Sequence, residues 1–153
     1  MRFTLVLVIL VLAIVGCKKD KFTTAPQIRF LSVDPNYARS DLTPSQSYLA
    51  PKITLEITDA EGDFGYRENT DTSLVYLKNL KTDLLDSLIF PDIRLSGTKN
   101  FKAEIEVNLF KTLRCLIPGP RVDTLYYEVY ITDFAGNKSN VITTDQPVFF
   151  ECL

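Results

Sequence analysis

The fold is most legible in Tyr127-Glu128-Val129-Tyr130-Ile131-Thr132-Asp133-Phe134-Ala135-Gly136-Asn137-Lys138-Ser139. With Leu125 just upstream, Tyr127, Val129 and Ile131 set an apolar residue at every second position, and Tyr126, Glu128, Tyr130 and Thr132 fill the positions between. Successive side chains of a strand point to opposite faces, so this period of two predicts a half-buried strand over Leu125–Ile131. The alternation stops at Asp133, and Gly136-Asn137 is a pair that a tight turn with positive φ selects.

Outward from there the same period recurs. Ile53, Leu55 and Ile57 alternate with Thr54, Glu56 and Thr58, and Phe101, Ala103, Ile105, Val107 and Leu109 alternate with Lys102, Glu104, Glu106 and Asn108. An apolar inward position at every step is what antiparallel strands with one wet face require. Further strands are expected at Ile28–Val33, Leu74–Lys78, Leu88–Phe90, Leu113–Ile117, Val141–Thr144 and Val148–Phe150, separated by Asp, Asn, Gly and Pro clusters at 34–36, 59–65, 118–120 and 133–137. Leu77, Leu80, Leu84 and Leu88 also suit a short helix, but β-branched and aromatic residues flank them, which favours a hairpin turning at Lys81–Asp83. Several short strands with regular turns point to one all-β, antiparallel β-sandwich domain over residues 27–153.

Composition narrows the chemistry. The chain has 153 residues, 17 Lys+Arg against 19 Asp+Glu, no His, no Trp and three Cys. A length of ~100 to 200 residues suits one domain, and a formal charge of -2 argues against a nucleic-acid partner, which demands a basic footprint. Without histidine there is no Ser-His-Asp or Cys-His arrangement, and carboxylates, Lys, Tyr and Cys are the groups left for catalysis. Glu56, Glu104 and Glu106 are carboxylates on outward strand positions, the pattern of a solvated sheet face rather than an acid/base pair.

Arg2 precedes Phe3–Val15, a run broken only by Thr4 and shorter than the ~20 apolar residues of a bilayer-spanning helix, so it reads as a signal-peptide core. Its end, Ile14-Val15-Gly16-Cys17, resembles the lipobox of bacterial lipoproteins, which implies a signal peptide over 1–16 and a diacylated (palmitate-type) Cys17 as the new N-terminus. Two or three acyl chains anchor a protein durably, so the expected membrane partner is reached through lipid. Lys18–Pro26 is polar and short, as a tether over 17–26 would be. Lys18 after the cysteine resembles an outer-membrane sorting signal, with the periplasmic or surface face left open.

The Tyr127–Ser139 stretch also resembles the last strands and turn of bacterial immunoglobulin-like and fibronectin-III-like domains, which run Y-x-V-x-V-x-D-x-A-G-N-x-S. With the lipobox and Asp59-Ala60-Glu61-Gly62-Asp63-Phe64-Gly65, the chain is similar to small Bacteroidetes lipoproteins of unknown function. The resemblance implies an immunoglobulin-like sandwich and brings no catalytic residues with it.

Four constellations remain. Asp59, Glu61 and Asp63 set carboxylates at i, i+2 and i+4, and Ca²⁺ takes 6 to 8 oxygens in irregular geometry, so these residues with Asp133 and Asn137 form the candidate metal site; the alternative is solvated turn formers. Cys115 and Cys152 are left as a pair, either bridged or as a buried thiol and a frayed end. Tyr126 and Tyr130 lie on the outward face of their strand, either as a binding platform or under a neighbouring element. Asp86-Ser87-Leu88 and Asp123-Thr124-Leu125 resemble a short periplasmic O-glycosylation motif. The function expected is a non-catalytic binding or structural module contacting protein or glycan. A calcium-stabilised accessory subunit of an outer-membrane assembly and a small carboxylate-dependent hydrolase are the alternatives.

Overall fold

The computed structural model describes residues 22–65, 72–90, 99–117 and 119–153, and these form ten strands in chain order, most of them on alternating apolar residues. They are β1 Gln27–Asp34, β2 Tyr37–Arg39, β3 Lys52–Asp59, β4 Leu74–Asn79, β5 Leu85–Ile89, β6 Phe101–Asn108, β7 Arg121–Leu125, β8 Tyr127–Thr132, β9 Ile142–Thr143 and β10 Val148–Cys152, with a 3₁₀ turn at Pro44–Leu49. Three sheets result, ordered β1-β3-β6, β2-β10-β7 and β5-β4-β8-β9. Every pairing is antiparallel except β2 with β10. Among the described residues no helix is long and apolar enough to cross a membrane.

The inward positions meet in one core. Ile53, Leu55 and Ile57 of β3 pair with Val107, Ile105 and Ala103 of β6, and Val75 and Leu77 of β4 pair with Ile131 and Val129 of β8. All but the half-buried Ala103 are buried, in one cluster with Leu125, Val148 and Phe150 from the third sheet. Burying a side chain of this size contributes roughly 1.5–3 kcal/mol, so this shared interior holds the three sheets together.

The outer faces differ in chemistry. On β1-β3-β6 the face is a ladder of ion pairs, with Glu56 between Lys102 at 2.6 Å and Arg29 at 3.3 Å, and Lys52 bonded to Glu106 at 2.7 Å. Lys102 and Arg29 hold the Glu56 carboxyl below the usual carboxylate range. On β4 of the sheet β5-β4-β8-β9 the outward positions are Leu74, Tyr76 and Lys78, opposite Ile89, Ser87 and Leu85 on one side and Thr132, Tyr130 and Glu128 on the other.

The leucines at 77, 80, 84 and 88 form a hairpin rather than a helix, with Asp83 at φ +61° in the turn and its amide bonded to the Asn79 carbonyl at 2.8 Å. Two expectations need correction. Leu113–Ile117 is not a strand: its apolar residues lack alternation, Leu116 and Ile117 lie exposed, and no sheet edge pairs with it. The single strand expected over Leu125–Ile131 is two, because the chain leaves the sheet of β10 after Leu125 and enters that of β4 at Tyr127. The inward parity of Leu125, Tyr127, Val129 and Ile131 survives this change of sheet, since all four are buried. Strand β7 escapes the alternation rule because Asp123 occupies an inward position, where a carboxylate is costly unless paired. Arg121 grips both its oxygens at 3.0 Å and Lys81 bonds Oδ1 at 2.6 Å, tying β7 to the β4–β5 turn.

Arg121 first, then Lys81, hold the Asp123 carboxyl below its ordinary value. A lowered folded-state pKa contributes stability that is complete above the unfolded value near ~3.9 and is lost as pH falls through the folded one. Asp123→Asn should therefore be less stable than the parent at pH 7, with the gap narrowing below pH ~4. Urea melts at pH 7 and pH 3 measure this, and a gap independent of pH would remove the carboxylate as its source.

Candidate functional site

Two separate turns are built to meet. In the first, Asp59 ends β3 and its Oδ2 accepts the backbone amides of Glu61 at 3.0 Å and Gly62 at 2.6 Å, an Asx-type turn. Gly62 at φ +65° supplies the left-handed step that lets the chain double back. Phe64 then anchors the loop in the core, fully buried and stacked on Phe90 at 5.6 Å and against Phe101 at 5.8 Å. In the second turn Asp133 follows β8 and is held by Asn137, whose amide bonds Oδ1 at 2.7 Å and whose Nδ2 bonds Oδ2 at 2.8 Å. Gly136 at φ +82° closes it. The Phe134 amide donates to the Asp63 carbonyl at 2.9 Å, fastening one turn to the other.

The result brings Asp59, Asp63 and Asp133 together, with one carboxylate oxygen of each within 4.8 Å of the others. Asp59 is 0% exposed and Asp133 3%. Burial pushes the Asp59 carboxyl up, against the pull of the Gly62 and Glu61 amides. Burial also raises Asp63, and the nearby Asp133 carboxylate adds to it. Among the described residues none of the three is ion-paired to Lys or Arg. Glu61, expected in the same shell, is exposed and receives the Thr24 hydroxyl at 3.3 Å instead. Asn137 orients Asp133, using its amides on that carboxylate.

The tyrosines rearrange as well. Tyr130 stacks on Tyr76, not Tyr126, with centroids 4.5 Å apart and planes at 11°. Lys138 Nζ stands 3.8 Å over the same ring. The Tyr130 ring is thus engaged by two partners, Tyr76 and Lys138. Tyr126 sits 38% exposed at the junction of β7 and β8. Sequence reasoning missed Tyr76, although its outward parity within Leu74–Lys78 was available; what it lacked was the register that sets Tyr76 opposite Tyr130.

Cys17 lies outside the described residues. Residues nearer the domain are docked rather than free: the Ala60 amide donates to the Thr23 carbonyl at 3.1 Å, and Pro26 is buried. No protein-family model, curated protein or solved structure matches this chain.

Cys115 and Cys152 are joined, with Cα atoms 5.8 Å apart across a sequence separation of 37. Their burial reverses the unbridged alternative, for Cys152 is 1% exposed on β10 while Cys115 lies in the exposed stretch 114–117. Closing a loop of this length contributes up to about 4 kcal/mol through the unfolded chain. The double variant Cys115→Ala/Cys152→Ala should lose a comparable amount in urea melts, and reductant should affect only the parent. A parent whose melt ignores reductant would sink this assignment.

Proposed function

We propose that this chain is a lipid-anchored protein of the bacterial outer membrane, made of a lipoprotein signal peptide, a lipidated Cys17 and an immunoglobulin-like β-sandwich, and that it works by non-catalytic contact with a protein partner. The observation that carries the contact reading is the Tyr76–Tyr130 stack on the solvent side of β5-β4-β8-β9, beside Leu74 and Ile89, which is 64% exposed. Tyrosines supply large, rigid contact area at low entropic cost and are enriched among residues that dominate interfaces. The outer face of β1-β3-β6 carries ion pairs around Glu56 and Lys52 and, among the described residues, no stacked aromatic pair. Protein is favoured over glycan because a sugar stacks on an open ring face, and the Tyr130 ring is already engaged by Tyr76 and Lys138. The anchor rests on the Ile14-Val15-Gly16-Cys17 motif behind its short apolar run.

Two measurements test this. Cells fed labelled palmitate should label the parent and not Cys17→Ser; label in neither overturns the anchor. Pull-downs from detergent-solubilised membranes with the parent and with Tyr76→Ser/Tyr130→Ser should retain a stoichiometric protein on the parent alone, with affinity lowered about tenfold or more in the variant. Equal retention removes the tyrosine face from the interface, and a glycan in place of a protein overturns the choice of partner.

A further inference from the structure

We propose that Asp59, Asp63 and Asp133 hold one divalent cation of the Ca²⁺ class, which clamps the 59–65 loop to the 133–137 turn. Three acidic residues in proximity are common without an ion, and what singles out these is the state of their oxygens. Among the described residues, three buried side-chain polar atoms accept or donate no hydrogen bond, and two of them are Asp59 Oδ1 and Asp63 Oδ1. The third, the Tyr127 hydroxyl, lies elsewhere in the core beside Thr112. Asp59 is wholly buried and its Oδ2 already accepts the Glu61 and Gly62 amides, so Oδ1 is the oxygen left with its full accepting capacity for a cation. An orphaned carboxylate oxygen in a buried site carries a large desolvation cost, and a second one beside it adds like-charge repulsion. A bound cation removes both penalties at once.

The donor set selects the ion. All three donors are hard carboxylate oxygens, and the chain has no histidine, so the site suits Ca²⁺ or Mg²⁺ rather than zinc or copper. Ca²⁺ binds oxygens at 2.3–2.6 Å, so its shell spans about 5 Å, and donors within 4.8 Å of one another fit inside it. Mg²⁺ demands a tighter octahedron at about 2.1 Å. Asp133 retains accepting capacity, because each of its oxygens takes one hydrogen bond from Asn137.

The cation also reaches the N-terminal entry of the domain. The Ala60 amide, one residue after Asp59, bonds the Thr23 carbonyl, and the Ala60 carbonyl accepts the Asn100 amide at 2.9 Å. Ordering the 59–65 loop therefore orders the segment through which the chain enters its first strand. This cation site stands independently of the tyrosine contact face.

The test uses the full chain in detergent, stripped with EDTA and then titrated with CaCl2 or MgCl2. Calcium at 1 mM should raise Tm by about 5 °C or more, with one ion bound per chain by calorimetry and a weaker response to magnesium. Hydrogen exchange at the Ala60 and Phe134 amides should slow on calcium addition. Asp59→Asn should abolish the calcium response. Should that variant fail to fold, Asp63→Asn, at a half-buried position, serves instead and should also lose it. Glu61→Gln should keep the full response, since Glu61 faces Thr24. A Tm unmoved by millimolar calcium, a response preserved in Asp63→Asn, or one lost equally in Glu61→Gln overturns the site.

Discussion

Burial of one continuous apolar interior against the inner faces of three sheets is the constraint on which everything else in this protein depends. Ile53, Leu55 and Ile57 on one side and Val75, Leu77, Val129 and Ile131 on the other meet in that interior. Their burial supplies the hydrophobic term that offsets the conformational entropy of ordering the chain. The same requirement makes the chain change sheets at Tyr126 without losing the inward direction of its neighbours. It also explains why the Cys152 end of β10 is buried and fastened, as that strand lines the third side of the core.

With the inner faces committed to the core, function is left to the outer faces and the turns. One outer face is neutralised by ion pairs around Glu56 and Lys52, of a kind that exposed pairs render worth little to stability but effective for solubility. The other carries a stacked aromatic pair flanked by Leu74 and Ile89 as well as by Lys78 and Glu128, with a ring surface that the core does not use. This asymmetry underlies the contact reading.

The two acidic turns show the opposite economy. Phe64 is driven into the core between Phe90 and Phe101, and this pins a loop whose carboxylates solvent would otherwise satisfy. Asp59 and Asp63 are thereby each left with one buried oxygen, Oδ1, that accepts no hydrogen bond. Aromatic anchoring of the loop and the polar deficit beside it are two sides of one arrangement, and the deficit gives the cation proposal its force.

The sequence by itself determined most of the strands with their inward faces and turns, though not β2, β7 or the irregular course of Leu113–Ile117, because a period of two and the φ demands of residues such as Gly62 and Gly136 are local properties. It also marked Asp59, Asp63 and Asp133 by residue type, and Tyr130 by its outward parity. Only the tertiary structure decided which strands share a sheet, that Tyr76 and not Tyr126 meets Tyr130, and that Glu61 turns toward Thr24. It alone set Asp123 inward with Arg121 and Lys81, and Cys115 outward against a buried Cys152. These outcomes depend on register and on contacts between residues far apart in the chain, and local periodicity carries no information about either.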